Sequence, residues 1–437
     1  MQQYSGNGRY IEFRGEPILV VGSGEHYGAV LNRDFDYVPY LETLERDGLN
    51  QCRVFSGTYR EVPGEFAIED NNIAPRGEAF LCPWKCVGTD RWDLSEWDDA
   101  YWSRLRDFCE QAARRGVLVE YVLFCFWYND NLWKVSPMHP DNTIQAVGPR
   151  DRARVFRLEE PGLLPYQEAF VRKATAELSV FDNVYLEICN EPYSRHDGTM
   201  DDDWHRHLTA IAKTEDPKKL IAVNYQNKYQ LLHDLDPLVT IGNFHYAEPR
   251  AARDNYHLGL VLADDETGFA GQPATPYRRE AWRFLLAGGA IFSHLDYSFT
   301  VQHPDGTAPI GGKTPGYGGA DLRQQLGFLR RFLEDAKVWE MSPLDDIISS
   351  LPSELSAQVM GIPGERYALY LEGVAPSGGD LQFRIGTGEF TITWHDPVAC
   401  RPIGQAVNLQ SGGDLKVSAP GEHSGELALL ITRTGSD

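Results

Sequence analysis

Short apolar runs alternate with amphipathic segments through the first three quarters of the chain. The runs are rich in β-branched and aromatic residues and bounded by turn residues, which predicts buried strands. Eight such strands are expected, at 20–27, 50–55, 117–126, 184–190, 220–224, 239–246, 259–268 and 289–297. Helical spacing of apolar residues predicts helices between them, at 36–47, 100–115, 163–178, 202–213, 230–235, 277–287 and 321–337. This alternation predicts an α/β fold, a (β/α)₈ TIM barrel.

The pattern changes at the end of this region. Short strands separated by Gly, Pro and Ser turns are expected at 357–360, 367–371, 381–385, 390–394, 415–417 and 427–431. We therefore predict two domains, a barrel over residues 1–340 and a small all-β sandwich over residues 341–437. A hairpin over residues 10–19 precedes the barrel.

Composition and charge restrict the possible partners. The formal net charge is −22, which argues against nucleic acid and anionic membranes, because both need a basic surface. No apolar run approaches the roughly 18 residues of a membrane span. The first residues have neither a basic region nor an apolar one, so we expect no signal peptide in this chain. A cytoplasmic protein, or a secreted one whose signal has been removed, fits equally well.

The seven cysteines are an odd number. Cys82 and Cys86 could form a disulfide or half of a metal site. No matching Cys or His pair lies near them, so zinc is disfavoured. We expect neither a metal nor a cofactor.

Two carboxylates follow buried strands. The fourth strand ends in Asn190-Glu191-Pro192, where the proline cannot continue a sheet ladder. Glu266 follows the seventh strand. In a parallel barrel the carboxyl ends of the strands carry the chemistry. A pair of carboxyls on either side of a glycosidic bond can act as acid and as nucleophile or base.

These motifs resemble those of a known group of enzymes. The Asn-Glu-Pro after strand four, His245-Tyr246 after strand six and Glu266 after strand seven resemble the large clan of retaining (β/α)₈ glycoside hydrolases. That clan includes cellulases, mannanases and β-galactosidases. The resemblance covers residues 10–340 and implies a glycosidase acting on an oligosaccharide, polysaccharide or glycoside.

The resemblance also implies roles for individual residues. Glu191 would be the acid/base and Glu266 the nucleophile of a double displacement. Asn190 would contact the sugar 2-hydroxyl. Arg53 would support the nucleophile, and Tyr246, or His245 beside it, would hydrogen-bond it.

Other polar or aromatic residues at strand ends are candidates for substrate binding. They are Glu25 and His26 after strand one, Trp127 after strand three and Asp296 after strand eight. Each has a structural alternative, either a hydrogen bond within the fold or packing of a loop. The clan usually has a tryptophan where this chain has the segment containing Asp296. The oligomeric state and the sugar are not predicted.

Three alternatives stay open. Strand seven offers Asp264 as well as Glu266, and simple alternation of side chains puts both on one face. The barrel could be a non-catalytic carbohydrate-binding protein, because fold alone does not give function. A metal-dependent hydrolase would use His245, His257 and Asp264, but no His-x-His closes strand one.

Overall fold

The computed structural model describes residues 1–194, 201–373, 380–421 and 423–434. Eight parallel strands close into a barrel in which consecutive strands are neighbours and the last pairs with the first. They are β1 (Val20–Gly24), β2 (Gln51–Phe55), β3 (Leu118–Cys125), β4 (Val184–Asn190), β5 (Ile221–Asn224), β6 (Ile241–His245), β7 (Val261–Thr267) and β8 (Ile291–Leu295). Every position in these strands is buried, because helices cover the outside of the barrel while side chains fill its interior. The predicted (β/α)₈ barrel is confirmed.

Eight α-helices are present in the described part of the chain. They are α1 (Tyr37–Asp47), α2 (Asp99–Arg114), α3 (Asp130–Val135), α4 (Leu164–Leu178), α5 (Asp202–Glu215), α6 (Pro249–Asn255), α7 (Thr275–Leu286) and α8 (Ala320–Asp335). The cap of α1 illustrates the local signals: the Asp36 side chain accepts from the backbone of Val38, and Gly48 ends the helix with φ 79°. None of the described helices is both long and apolar enough to cross a membrane.

The short helix predicted over residues 230–235 is wrong. This segment has no regular structure. The Asn255 side chain supplies its backbone partners, accepting from Leu232 N and donating to Gln230 O. A side chain from a distant element thus replaces the hydrogen bonds of a helical turn.

The long segment after β2 also contains structure that the sequence pattern did not indicate. Two antiparallel strands, Trp84–Gly88 and Arg91–Trp97, form a hairpin there. A three-stranded sheet (Gln2–Gln3, Ile11–Phe13 and Glu16–Ile18) precedes the barrel, and its last two strands form the predicted hairpin.

The C-terminal region is all-β, as predicted. Its strands are β9 (Ser342–Pro343), β10 (Ile348–Ser350), β11 (Ser356–Ile362), β12 (Arg366–Glu372), β13 (Asp380–Asp396), β14 (Arg401–Ser418) and β15 (Glu426–Arg433). They form one antiparallel sheet in the order β9-β11-β12-β15-β13-β10, with β14 paired to β13. Leu369, Phe383 and Leu415 belong to a single hydrophobic core of this region.

The C-terminal sheet packs against α7, the helix that follows the strand carrying Glu266. The Glu426 carboxylate accepts hydrogen bonds from Arg278 of α7 at 2.6 and 2.9 Å. Trp282 of α7 stacks on Tyr370, with ring centroids 5.1 Å apart. The sheet therefore supports the barrel wall on the side of β7.

Candidate active site

A cavity of about 220 Å³ opens at the carboxyl ends of the barrel strands. Its lining comes from the ends of β1 to β7 and from the loops that follow them, the position at which barrels carry chemistry. The lining residues are His26, Tyr27, Phe55, Tyr59, Glu61, Phe66, Tyr128, Asn190, Glu191, Asn227, Tyr246, Glu266 and Phe269. Five of the sequence-predicted site residues are among them, including both glutamates.

Glu266 is held by three donors. Tyr246 donates its hydroxyl to Oε1 at 2.6 Å, Tyr27 donates to Oε2 at 2.9 Å, and Arg53 Nη1 donates to Oε2 at 3.1 Å. Glu266 as a whole residue is only 7% exposed. These three contacts fix both oxygens, so the carboxylate reaches the cavity in one orientation.

Glu191 is held by a second set of donors. Tyr128 donates to Oε2 at 2.6 Å, and His245 Nδ1 and the Tyr193 hydroxyl lie 3.0 and 3.1 Å from Oε1. Burial on its own would raise the pKa of Glu191. The hydrogen bond and the positive charge of His245 outweigh burial and lower this pKa to about 2.

His245 lies between the two glutamates and the interior of the barrel. Its Nδ1 is 3.0 Å from Glu191 and 3.7 Å from Glu266, and its Nε2 is 3.2 Å from Asp265. Burial would lower the pKa of this imidazole, but the surrounding carboxylates raise it well above its usual value. An imidazolium facing Glu191 on one side and Asp265 on the other is the charge state that this geometry favours.

The catalytic candidates are close together. One oxygen of Glu191, one oxygen of Glu266 and one ring nitrogen of His245 all lie within 4.8 Å of one another. Glu191, Tyr246 and Tyr27 also have left-handed backbones, with φ of 44°, 52° and 50°. Non-glycine residues adopt this conformation at a cost, and such residues concentrate at functional sites.

Arg53 connects Glu266 to a group of acids below the cavity. Its Nη2 donates to Glu187 and to the Asn190 side chain, both at 2.8 Å, and its Nε is 3.4 Å from Asp265 and 3.7 Å from Glu120. Burial, followed by the charge of neighbouring acids, raises the pKa of Glu120 well above its usual value. Glu120 and Glu187 are therefore interior carboxylates paired with an arginine.

A bulge in β7 changes which side chains share a face. The pairing of β7 with its neighbours shifts register near its carboxyl end. As a result Asp265 and Glu266 both reach Arg53. Asp264 lies among different neighbours, and its pKa is raised by burial and by the charge of Glu280. The expectation that Asp264 shares a face with Glu266 is wrong, because strict alternation holds only in an unbulged strand.

Three predicted substrate-binding residues, Glu25, Asp296 and Trp127, are not among the residues that line the cavity. Glu25 accepts from Asn72 and from two backbone amides. Asp296 is paired with Arg323 at 2.7 Å. Trp127 is fully buried in an aromatic cluster beneath the loop that follows β3. Glu25 and Asp296 therefore have polar partners within the fold, and Trp127 packs against other aromatic rings.

Several residues that line the cavity were not predicted from the sequence. Tyr27 directly follows His26, and its position at a strand end was a usable signal. Glu61 and Phe66 lie in the long segment after β2, where no periodic pattern marks them. Asn227 lies in an irregular segment after β5.

The residues that could hold a metal are few. In the described part of the chain, two groups have suitable spacing, Glu191-His245-Glu266 and Glu120-Glu187-Asp265. The second group already contacts the Arg53 guanidinium. Cys82 and Cys86 lie within the described residues and are not bonded to each other.

Comparison with known proteins gives the same fold. No family model matches the chain, and no curated relative matches it. A solved structure described as a glycoside hydrolase is 14% identical, covers 100% of this chain and 97% of its own, and superposes with a TM-score of 0.66. A family 5 glycoside hydrolase from Bacteroides vulgatus is also 14% identical, with coverages of 100% and 93% and a TM-score of 0.65. A family 30 subfamily 8 xylanase from Clostridium acetobutylicum is 12% identical, with coverages of 97% and 97% and a TM-score of 0.52. The chain therefore has the fold of these glycoside hydrolases, as its sequence resemblance implied.

Proposed function

We propose that the protein is a retaining glycoside hydrolase that cleaves O-glycosidic bonds by double displacement. The observation that carries this proposal is the spacing of Glu191 and Glu266, which have carboxylate oxygens within 4.8 Å of one another. Carboxyls of retaining enzymes are about 5–5.5 Å apart, whereas those of inverting enzymes are about 6.5–9.5 Å apart to admit a water. The fold of the similar structures supports a carbohydrate substrate.

Each glutamate has its own role. Glu266 attacks the anomeric carbon while Glu191 gives a proton to the leaving oxygen, and Glu191 then takes a proton from the water that releases the sugar. Arg53, Tyr27 and Tyr246 orient the attacking carboxylate through the hydrogen bonds described above. Asn190 lines the cavity beside Glu191 and can contact a hydroxyl of the bound sugar.

The test begins with a panel of 4-nitrophenyl glycosides in both anomeric forms. With a substrate that is turned over, Glu266→Gln should abolish activity. Glu191→Gln should lower it by about 10²–10⁴-fold on substrates with poor leaving groups, the usual contribution of a general acid and base. Glu42→Gln, in the exposed part of α1, is the matched control and should keep full activity.

Two further measurements separate the mechanism from its alternatives. A 2-deoxy-2-fluoro glycoside should label Glu266, as shown by mass spectrometry of the digested protein, and the first product should keep its anomeric configuration by NMR. Inverted product, or a label on another residue, contradicts the mechanism. Binding of sugars without turnover on the whole panel favours the alternative, a non-catalytic carbohydrate-binding barrel.

A further inference from the structure

The two catalytic candidates divide the mouth of the barrel into two sides. From β4 to β7 the barrel runs one way through β5 and β6, and the other way through β3, β2, β1 and β8. Most of the cavity lining lies on the second side, in the residues that follow β1, β2 and β3. We call this the β1 side and the other the β6 side.

An aromatic contact closes the β1 side. Phe66, in the loop after β2, and Phe269, after β7, have ring centroids 6.4 Å apart. Phe66 also contacts Tyr128 at 5.1 Å, and Phe269 contacts Tyr297 at 6.3 Å. The rings therefore join the loops after β3, β2, β7 and β8 across this side of the mouth. A sugar chain leaving the cavity in this direction would have to part them.

Phe66 lies in a loop segment with an unusual backbone conformation. Phe66 and the next residue, Ala67, have φ of 52° and 59°, a left-handed conformation that non-glycine residues seldom adopt. Phe66 and Phe269 are 36% and 40% exposed, as expected of side chains at the rim of a cavity. The cavity they help to close, at about 220 Å³, is below the range of about 300–1,000 Å³ that is usual for pockets of drug-sized ligands. This space suits one sugar ring rather than several.

The β1 side also contains a polar pair that the proposed mechanism does not use. His26 Nε2 lies 3.2 Å from Glu61 Oε2, and Tyr59 donates to Glu61 Oε1 at 3.1 Å. His26 and Glu61 are 7% and 6% exposed and line the cavity. His26 Nδ1 is buried and has no partner within the described residues. Buried polar groups normally have partners, so an unpaired nitrogen in a residue that lines the cavity is unusual.

The order of the two chemical steps decides which sugar lies on the β1 side. In a double displacement the leaving group departs first, while the other sugar stays bound to the nucleophile. The leaving group therefore needs the side with an exit. Tyr246 and Asn227 line the cavity on the β6 side, where the ring contact of Tyr246 with Phe269, at 6.2 Å, joins only the adjacent loops after β6 and β7.

We propose that the β1 side is a blind pocket for one terminal sugar, whose hydroxyls bind His26 and Glu61. The enzyme then removes single sugars from the non-reducing ends of oligosaccharides, or splits small glycosides, and does not cut within polysaccharide chains. This inference rests on the proposed function. A hydroxyl that contacts His26 or Glu61 cannot carry a further sugar, because Phe66 and Phe269 leave no path for it.

The first test is the product pattern. Tetrasaccharides of the sugar identified with the aryl glycosides are labelled at the reducing end and digested with the wild-type protein. The expected early products are the unlabelled monosaccharide and the labelled trisaccharide. Labelled monosaccharide or disaccharide among the first products overturns the blind pocket. If Glu266 is trapped in the same preparation, the mechanism survives this result, whereas absence of turnover on every glycoside overturns both proposals.

The second test removes the closing ring. Phe66→Ala should raise the ratio of internal to terminal cleavage by about tenfold or more, the scale on which a pocket discriminates by size. Leu158→Ala is the matched control, because Leu158 has the same 36% exposure but lies outside the cavity lining. An unchanged ratio in Phe66→Ala overturns the assignment of the closed side.

The third test concerns the polar pair. Glu61→Gln should lower kcat/KM by about 10–100-fold, the range for a lost hydrogen bond to a charged group. Deoxy analogues of the aryl glycoside show whether the effect is direct. The analogue that lacks the contacted hydroxyl should be cleaved equally well by Glu61→Gln and by the wild type. An equal loss on all analogues shows a merely structural role and overturns the contact.

Discussion

Replacing His245 by asparagine tests how the site stores its acid proton. If Glu191 is the general acid, it needs a proton at neutral pH, yet its pKa is lowered to about 2. The geometry resolves this conflict, because His245 Nδ1 lies 3.0 Å from Glu191 Oε1 and keeps a proton well above the usual pH for an imidazole. Two groups that interact this strongly titrate as a pair. We therefore expect Glu191 and His245 to share one proton. This proton passes through Glu191 to the leaving oxygen.

The structure gives the size of the effect. The difference between the ordinary pKa of 4.5 and about 2 corresponds to about 3 kcal/mol in favour of ionised Glu191, at about 1.4 kcal/mol per pKa unit. In His245→Asn this charge is lost, so the pKa of Glu191 rises from its lowered value, because burial is then opposed mainly by the hydrogen bond of Tyr128. Even so, only a small fraction of Glu191 holds a proton near neutral pH. The kcat/KM of the variant should begin to fall at a lower pH than that of the wild type, and then by roughly tenfold per pH unit, the slope for loss of one essential proton.

The assay is the pH profile of kcat/KM on a glycoside with a poor leaving group, between about pH 4 and pH 9. The wild-type profile should stay flat to well above neutral pH, because His245 keeps the proton. With a dinitrophenyl glycoside, whose leaving group needs no general acid, kcat/KM of His245→Asn should fall much less as the pH rises. His207→Asn is the matched control, since His207 pairs with Glu168 at 2.7 Å far from the cavity. A loss in His245→Asn that is equal at every pH would refute the shared proton.

Three further predictions concern stability. Arg53→Met leaves several buried carboxylates unpaired and should lower the free energy of unfolding, measured with urea, by about 3–5 kcal/mol. An unchanged midpoint of urea unfolding contradicts the pairing. Burial raises the pKa of Glu280 to about 7, so the folded state loses stability as the pH rises from about 4.5 to about 7. Glu280→Gln should remove this loss of stability. The variant should be up to about 3 kcal/mol more stable than the wild type above pH 7 and equally stable near pH 4. A stability difference that does not change with pH contradicts the raised pKa of Glu280. Glu426→Ala breaks the ion pair with Arg278 and should uncouple the C-terminal sheet, giving two transitions in calorimetry instead of one.

The fold could be predicted from the sequence because its signals are local. Strands buried on both faces are short apolar runs, and their ends are marked by polar residues such as Asn190 and Glu191. The strand bounds were predicted wrongly where the same residues are compatible with two local structures. The glycines at 386 and 388 predict a turn between two strands, but they lie within the single strand β13, at a register shift in its pairing with β14.

The site could be predicted only in part. Strand ends gave the two glutamates, but the direction of each side chain depends on tertiary contacts. Glu25 and His26 are adjacent, yet Glu25 binds backbone amides while His26 reaches the cavity. The bulge that brings Asp265 to Arg53 and His245 is a property of strand pairing and has no signal in the sequence of β7.

The chemistry and the specificity of this site depend on different parts of the molecule. Arg53 is fixed by acceptors on several barrel strands, so Glu266 is oriented from the barrel interior. A guanidinium with five donors in a rigid plane can satisfy this arrangement, whereas a lysine cannot. The proposed blind end is instead built from loop residues such as Phe66 and Glu61, which touch neither catalytic glutamate in the described contacts. Changes in these loops should therefore alter which glycosides are cleaved and leave the anomeric outcome of the reaction unchanged.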